Sequence, residues 1–223
     1  MQEVYRFPYE PVDSNMFFIP CGDTGIIIDP NESEELLDII NKYKIQRVRV
    51  LITHEHFDHT SGIPWLLSKI ECTLICQQKC ADSVSAPKGR GNNPVLVALV
   101  LAERDRKDGG NRYMEFKKTA QRFSFTVDSV FDDECIIQVG DISVNCKATP
   151  GHTIGSAIYI LGDICIFTGD SLIQNTPTIL RFPESDKVLY NEVTLPFLKS
   201  LDKNMLVFPG HGEPFKIKEA KYL

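Results

Sequence analysis

The sequence predicts a layered α/β domain whose functional groups lie at one edge of its sheets. Candidate strands and helices alternate along most of the chain, and the strands outnumber the helices. Glycine, histidine and aspartate repeatedly follow the candidate strands, and these residue types are typical of loops that carry a functional site. Packed sheet and helix layers, with a site assembled from the loops at one rim, account for both observations.

The composition indicates a compact protein. The 223 residues are 43% hydrophobic and 24% charged, which are ordinary globular values. The longest apolar run, residues 95–102, is far shorter than the roughly twenty residues that cross a bilayer, and the N-terminus lacks a secretory signal. Seven cysteines, an odd number, indicate reduced thiols in a cytoplasmic, soluble protein. The net charge of −6 argues against nucleic acid or a membrane surface as partner.

The first elements follow from local patterns. Two apolar runs at residues 15–20 and 25–29 flank turn residues and predict a hairpin. Apolar side chains at helical spacing over residues 36–43 predict a helix that either Asn31 or Ser33 can cap.

The next elements lead into the conspicuous motifs. The β-branched residues 47–53 predict a strand that ends at HEHFDH, and Ser61 is expected to cap the following helix. The second half contains further candidate strands and one helix, in chain order: strands 135–139, 142–148, 157–161 and 164–168, helix 194–201, and strand 205–208.

The middle of the chain breaks this rhythm. We interpret 1–223 as a single domain with a helical insertion at about 87–122, containing an apolar helix from Pro94 and a second helix over 113–122. An all-round apolar helix must be covered, so the insertion packs in the core, closes over the site as a lid, or contacts a second copy in a homodimer.

All five histidines lie in three short motifs, THEHFDH, TPGHTIGS and FPGHGEP. An extended segment places His54 and His56 on one side, and the turn that follows can bring Asp58 and His59 back toward them. Four donors within six residues suggest two adjacent metal ions.

Three more donors follow candidate strands. His152 lies between glycines, Asp170 follows a strand through Gly169, and His211 follows the last strand. Each signal is weak alone, because such residues are common in turns. Their combination with HEHFDH predicts a metal site at the sheet rim.

The motifs HEHFDH, TPGHTIGS, FTGDSL and FPGHG, in this order, resemble those of the metallo-β-lactamase superfamily, and the likeness extends to the opening hairpin. The resemblance implies a four-layer αββα sandwich with metal ions between the sheets. It also implies that His54, His56 and His152 bind the first ion, Asp58, His59 and His211 the second, and that Asp170 bridges them. The presence of Asp170 favours the glyoxalase II, lactonase and related dinuclear branches over true β-lactamases.

The resemblance implies a hydrolase that attacks a small thioester or ester with a metal-bridging hydroxide, so the expected partner is a small-molecule substrate. Asp58 would also steer the proton of the nucleophile. Two divalent ions are expected, zinc first, although His and Asp ligands also suit iron and manganese. Glu55, between two ligands, receives no role.

Alternatives stay open. A persulfide dioxygenase-like oxidoreductase would hold a single iron through His54, His56 and Asp170 or their neighbours, and a lactonase fits the same motifs. A non-catalytic metal-binding domain is a third class. The segment after Asp170 lacks the Gly-rich Cys-Gly-Arg run usual in glyoxalase II, and Arg181 within it is either an anion-binding residue or a surface residue.

Overall fold

The computed structural model describes residues 3–86, 92–162 and 165–223, in which the strands form two mixed six-stranded sheets. The first sheet has the order β1-β2-β3-β4-β5-β6 and the second β12-β11-β10-β9-β8-β7. The strands are β1 (Tyr5–Tyr9), β2 (Ser14–Cys21), β3 (Thr24–Ile28), β4 (Arg47–Ile52), β5 (Glu71–Gln77), β6 (Ser129–Phe131), β7 (Glu134–Val139), β8 (Ile142–Ala148), β9 (Ala157–Leu161), β10 (Cys165–Gly169), β11 (Leu206–Pro209) and β12 (Phe215–Lys216).

The helices flank these sheets. They are α1 (Glu34–Tyr43), α2 (Phe57–Thr60), α3 (Ile63–Leu67), α4 (Gln78–Ser85), α5 (Val95–Asp108), α6 (Arg112–Thr119), α7 (Lys187–Leu189) and α8 (Leu195–Ser200). A π-helical turn (Tyr190–Thr194) joins the last two, and a 3₁₀ turn (Ile217–Glu219) follows β12. Among the residues described, no helix is long and apolar enough to cross a membrane.

Alternating side chains build the layers. Met16 and Phe18 on β2 are buried in a cluster with α1, α3 and α4, whereas Phe17 and Ile19 are buried in a cluster shared with the second sheet. The other face of the second sheet packs on α8 through a third buried cluster that includes Ile158, Ile166, Leu172, Leu198, Val207 and Phe215. The order helix, sheet, sheet, helix confirms the αββα sandwich.

Most predicted elements are present. The structure selects one of the two expected caps of α1 and corrects two other details. Ser33 caps α1, since its side chain accepts a hydrogen bond from the Leu36 backbone N–H. Gly62, and not Ser61, precedes α3. A Cβ at Gly62 would collide with the Asn31 backbone, so only glycine fits at this position. The helix predicted at 194–201 is α8 preceded by the π-helical turn.

The cysteines at 72, 76 and 80 do not form a metal-ligand row. Cys72 and Cys76 lie on β5 and Cys80 on α4, so the four-residue spacing crosses from strand to helix. Cys76 and Cys80 are buried in the core, and Cys72 packs against it. These three cysteines therefore contribute to the packing of the core.

The middle segment contains the helix pair α5 and α6, which pack on each other. Residues 87–91, the start of the predicted insertion, lie outside the described residues. The first helix extends farther than its apolar run, to Asp108, and the second ends at Thr119 instead of 122. Val97 and Leu101 are buried with Phe57 of α2, whereas Leu99 is 61% exposed. Only one side of α5 is therefore covered within the described chain.

Candidate metal centre

The predicted site residues meet at one rim of the sandwich, where several strands end. His54 and His56 follow β4, and the expected turn is the short helix α2, which begins directly after His56 and carries Asp58 and His59. The other three positions lie in separate loops: His152 between β8 and β9, Asp170 after β10, and His211 after β11. Tertiary structure thus brings four segments, distant in sequence, to one place.

The first group of donors is His54, His56 and His152. The Nε2 atoms of His54 and His152 each lie 3.1 Å from His56 Nδ1. All three side chains are buried. One ligand atom from each lies within 4.8 Å of the others, so the group could hold a metal ion.

The second group is Asp58, His59 and His211, which meets the same distance criterion. His211 Nε2 lies 3.4 Å and His59 Nε2 3.5 Å from Asp58 Oδ2. A third combination, Asp29 with His54 and His59, also satisfies the distances, but the Asp29 oxygens already accept hydrogen bonds. We therefore regard Asp58, His59 and His211 as the second candidate set.

Asp170 lies between the two groups. Its Oδ2 is 3.5 Å from His152 Nε2, in the first group. Its Oδ1 is 3.6 Å from His59 Nε2 and 3.5 Å from His211 Nε2, in the second. A carboxylate with one oxygen on each side can contact two cations at once.

Each imidazole has one ring nitrogen occupied by an acceptor outside the two groups. Because carbonyl and carboxylate oxygens only accept hydrogen bonds, that nitrogen carries the proton and the other is left to act as a ligand. The acceptors are Thr53 Oγ1 for His54, Glu184 Oε1 for His56, Asp29 Oδ2 for His59, Ile179 O for His152 and Val12 O for His211. Thr53 Oγ1 accepts because its own hydrogen is donated to Asp29.

Burial keeps part of the first group neutral. Desolvation, with the neighbouring imidazoles, lowers the pKa of His54 well below its usual value. Desolvation likewise lowers the pKa of His152 to about 4, although Asp170 opposes it. Neutral imidazole is the form that binds metal, so these two ligands are ready at neutral pH.

The second group concentrates negative charge. Burial disfavours a charged His59, but Asp58, Asp29 and Asp170 outweigh burial and raise its pKa to about 10. Burial is similarly outweighed by Asp170 and Asp58 at His211, whose pKa is raised. The pKa values of Asp58 and Asp170 are lowered by the imidazoles despite their burial. The carboxylates favour positive charge here, and a metal cation can supply it in place of protons.

Two orphaned atoms point to the same conclusion. Among the described residues, the buried atoms His59 Nε2 and Asp170 Oδ1 have no hydrogen-bond partner. A buried polar atom without a partner is costly, and its occurrence in a native structure needs a reason. Both atoms are metal-type donors and lie 3.6 Å apart. The donor set therefore fits metal ions, although it does not select between zinc, iron and manganese.

Asp29 is an orienting residue that the sequence analysis missed. Its Oδ1 accepts from the Thr53 backbone N–H at 2.7 Å, and its Oδ2 accepts from the Thr53 hydroxyl at 2.6 Å and from His59 Nδ1 at 2.9 Å. Its backbone is left-handed, with φ of 52°, a conformation that Asp tolerates better than most residues. The one feature of the sequence that could have indicated this role is the position of Asp29 directly after an apolar strand.

Glu184 was also missed, since nothing near it in sequence suggests the site. Its carboxylate accepts from His56 Nε2 at 2.9 Å, and its backbone carbonyl accepts from the Ile154 N–H. The neighbouring Ser185 hydroxyl donates to His152 O at 2.6 Å. This loop therefore holds two ligands of the first group. Arg181, in the same loop, is exposed, which agrees with its interpretation as a surface residue.

Glu55, which received no role from the sequence, makes a buried hydrogen bond beside the site. It is 2% exposed, and the Thr153 hydroxyl donates to its carboxylate at 2.7 Å. Desolvation raises its pKa. The contact ties the loop of His54 and His56 to the loop of His152.

We expect Glu184→Ala to weaken binding of the ion held by His54, His56 and His152 by about ten- to hundredfold, because loss of an outer hydrogen-bond partner frees the ligand ring. Glu184→Gln should recover part of the affinity, since its amide oxygen can accept the same bond. The exposed Glu192→Ala is the matched control. Titration of the metal-free variants with metal measures the effect, and equal affinities for Glu184→Ala and Glu192→Ala would contradict the orienting role.

The chain resembles known proteins over nearly its whole length. It is 22% identical over 208 residues to the "Probable metallo-hydrolase YqgX" of Bacillus subtilis (strain 168), covering 92% of this chain and 85% of that protein. It is 24% identical over 201 residues to a "Hydroxyacylglutathione hydrolase" of Shewanella loihica, covering 89% of this chain and 62% of that protein.

Solved structures share the fold. The BLEG-1 B3 metallo-beta-lactamase matches with a TM-score of 0.72 at 20% identity, covering 97% of this chain and 95% of that one. ETHE1 from Myxococcus xanthus matches with a TM-score of 0.70 at 20% identity, covering 99% and 82%. The sequence profile described as "Metallo-beta-lactamase superfamily" matches residues 9–211. With that match over most of its length, this chain belongs to the metallo-β-lactamase superfamily.

Proposed function

We propose that the protein is a metal-dependent hydrolase of the glyoxalase II-like type, which cleaves a small ester or thioester. Members of the superfamily are mostly hydrolytic enzymes and bind metals, often two. The observation that carries the proposal is the position of Asp170, with one oxygen toward each donor group and Oδ1 without a hydrogen-bond partner in the described chain.

The residues divide into two ligand sets. His54, His56 and His152 would hold one ion, Asp58, His59 and His211 the other, and Asp170 would contact both. When bound, divalent ions supply a hydroxide nucleophile at neutral pH and polarise the substrate carbonyl.

Asp58 would have a second role, in orienting the attacking water. Asp58 lines a cavity that opens at the candidate metal centre, and the lowered pKa of its carboxyl keeps it ionised. It would accept a hydrogen bond from the attacking water and so fix its orientation. Its low basicity suits this role better than removal of a proton.

The residues that line the cavity limit which leaving groups the substrate can have. The described residues that line the cavity include no lysine, tyrosine or cysteine that could protonate a leaving group. A group that departs as a stable anion, such as a thiolate, needs no such acid. This favours thioesters and activated esters, in agreement with the hydroxyacylglutathione hydrolase among the relatives.

We expect two metal equivalents per chain after reconstitution, measured by elemental analysis of protein purified without added metal and then loaded. His211→Ala should lose the second ion and keep the first, because His211 belongs to only one ligand set and its side chain is 26% exposed, which limits damage to the fold. The loaded protein should hydrolyse members of a thioester, ester and lactone panel.

Two results would contradict the proposal. Binding of at most one equivalent after reconstitution would exclude the two-ion site. A single iron with oxygen consumption on a persulfide substrate, and no hydrolysis of any panel member, would instead favour the dioxygenase alternative.

A further inference from the structure

A cavity of about 430 Å³ opens over the candidate metal centre. Helix α5 forms one of its walls through Leu96, Val97 and Val100, and the segment after Asp170 faces it with Ile173, Ile179 and Phe182. The two walls are separated from each other in sequence by β6 to β10. Helix α5 is held at this position in part by packing on Phe57, in the helix that carries Asp58 and His59.

The wall from α5 is apolar and open to solvent. Val100 is 43% exposed, although its neighbours Val97 and Leu101 are 3% and 1% exposed. An aliphatic side chain left accessible inside a concave site is available to a ligand. The same helix leaves Leu99 exposed, but that side chain does not line the cavity.

The charged group nearest this wall is already compensated. Arg104 lines the cavity one helical turn beyond Val100. Its guanidinium donates to Asp13 Oδ2 at 2.9 Å and to the Pro11 carbonyl at 3.0 Å. The charge of Arg104 is thus already paired with Asp13, and an apolar group placed against Val100 would displace only water.

The apolar surface continues to the reacting centre. The Phe182 ring stands edge-on to His56 and His152, with ring centroids 5.3 and 5.5 Å apart. Phe182 and Val100 line the same cavity, so an apolar chain joined to a carbonyl carbon at this centre would have apolar side chains beside it.

We propose that this wall binds the acyl chain of the substrate, and that the substrates are thioesters or esters of apolar carboxylic acids. The inference rests on the hydrolase function proposed above. It deepens that function by assigning specificity to α5 and to the segment that carries Phe182.

The test is a series of thioesters of one thiol with acetyl, butanoyl, hexanoyl and octanoyl groups, hydrolysed by the metal-loaded full chain. The value of kcat/KM should rise with chain length, by up to about fourfold for each methylene that leaves water. Val100→Asp should lower the octanoyl-to-acetyl ratio by at least tenfold. Leu99→Asp, on the same helix but outside the cavity, is the matched control and should leave the series unchanged.

Two further measurements separate this inference from the function on which it rests. In an acetyl series with thiols of increasing chain length, a dependence that exceeds the acyl dependence would overturn the assignment of the wall to the acyl chain. Calorimetric binding of octanoate and acetate, which needs no turnover, should favour octanoate in the parent and not in Val100→Asp.

The outcomes are distinct. Hydrolysis with a flat acyl series would overturn the inference and keep the hydrolase function. Absence of all hydrolysis, with octanoate binding still sensitive to Val100→Asp, would overturn the hydrolase and keep the apolar site.

Discussion

Asp170→Asn is expected to reduce hydrolysis by about a hundredfold while leaving the fold nearly unchanged. The carboxylate lies between the two donor groups, so the amide removes one negative charge and one anionic oxygen from the place where two cations would repel each other. The ions would then be held less firmly, and positioning errors near 1 Å cost on the order of a hundredfold in rate.

The melting temperature of the metal-free variant should fall less than that of Asp29→Asn, because Asp170 Oδ1 accepts no hydrogen bond from the described residues and the amide loses only the ion pairs with His59, His152 and His211. Rate, metal content and melting of the metal-free protein should be measured together. Asp141→Asn, in the exposed turn between β7 and β8, is the control. Wild-type turnover with both ions bound would show that Asp170 is only a turn residue.

Asp29→Asn should damage both stability and the site. Three donors converge on this buried carboxylate, the Thr53 N–H, the Thr53 hydroxyl and His59 Nδ1. An asparagine tolerates the left-handed backbone, but its amide nitrogen turns one acceptor into a donor. At least one buried donor is then left unsatisfied, at a cost of about 2–3 kcal/mol.

That loss corresponds to a melting temperature of the metal-free protein lowered by roughly 5–10 °C. Affinity for the ion bound through His59 should fall as well, since the ring loses its anchor. Asp38→Asn, an exposed change on α1, should alter neither quantity. If Asp29→Asn affected metal binding without lowering stability, the hydrogen-bond network would not support the fold. Comparison with Asp170→Asn distinguishes a residue that holds ligands from one that contacts metal.

Local sequence was sufficient for many of the elements and for the motifs that contain the seven candidate ligands. The unbroken apolar run from Met16 to Ile19 is typical of a strand buried on both faces, and the helical spacing around Leu36 and Ile40 predicts α1. These patterns depend on neighbours within a few residues, so they can be seen without the fold. The seven candidate ligands could be named from the sequence because histidine and aspartate cluster in recognisable motifs, and the structure brings them together.

The orienting contacts could not be found in this way. Glu184 is 128 residues from His56, and Asp29 is 30 residues from His59. Neither residue lies in a motif, and an acidic residue in a loop is usually solvated. Tertiary structure decides both contacts. Asp29 meets His59 because β3 and β4 are parallel neighbours that end at the same edge, whereas the loop of Glu184 follows β10 of the other sheet.

The cavity wall formed by α5 also depends partly on local sequence and partly on tertiary structure. The sequence by itself determined that residues 95–102 form an apolar helix, because the pattern is local. It did not determine which side of that helix the rest of the chain would cover: Val97 and Leu101 are buried, whereas Leu99 and Val100 are exposed. Tertiary structure placed Val97 against Phe57 and left Val100 facing the metal centre, since the surface that α5 packs on is assembled from segments far apart in the chain.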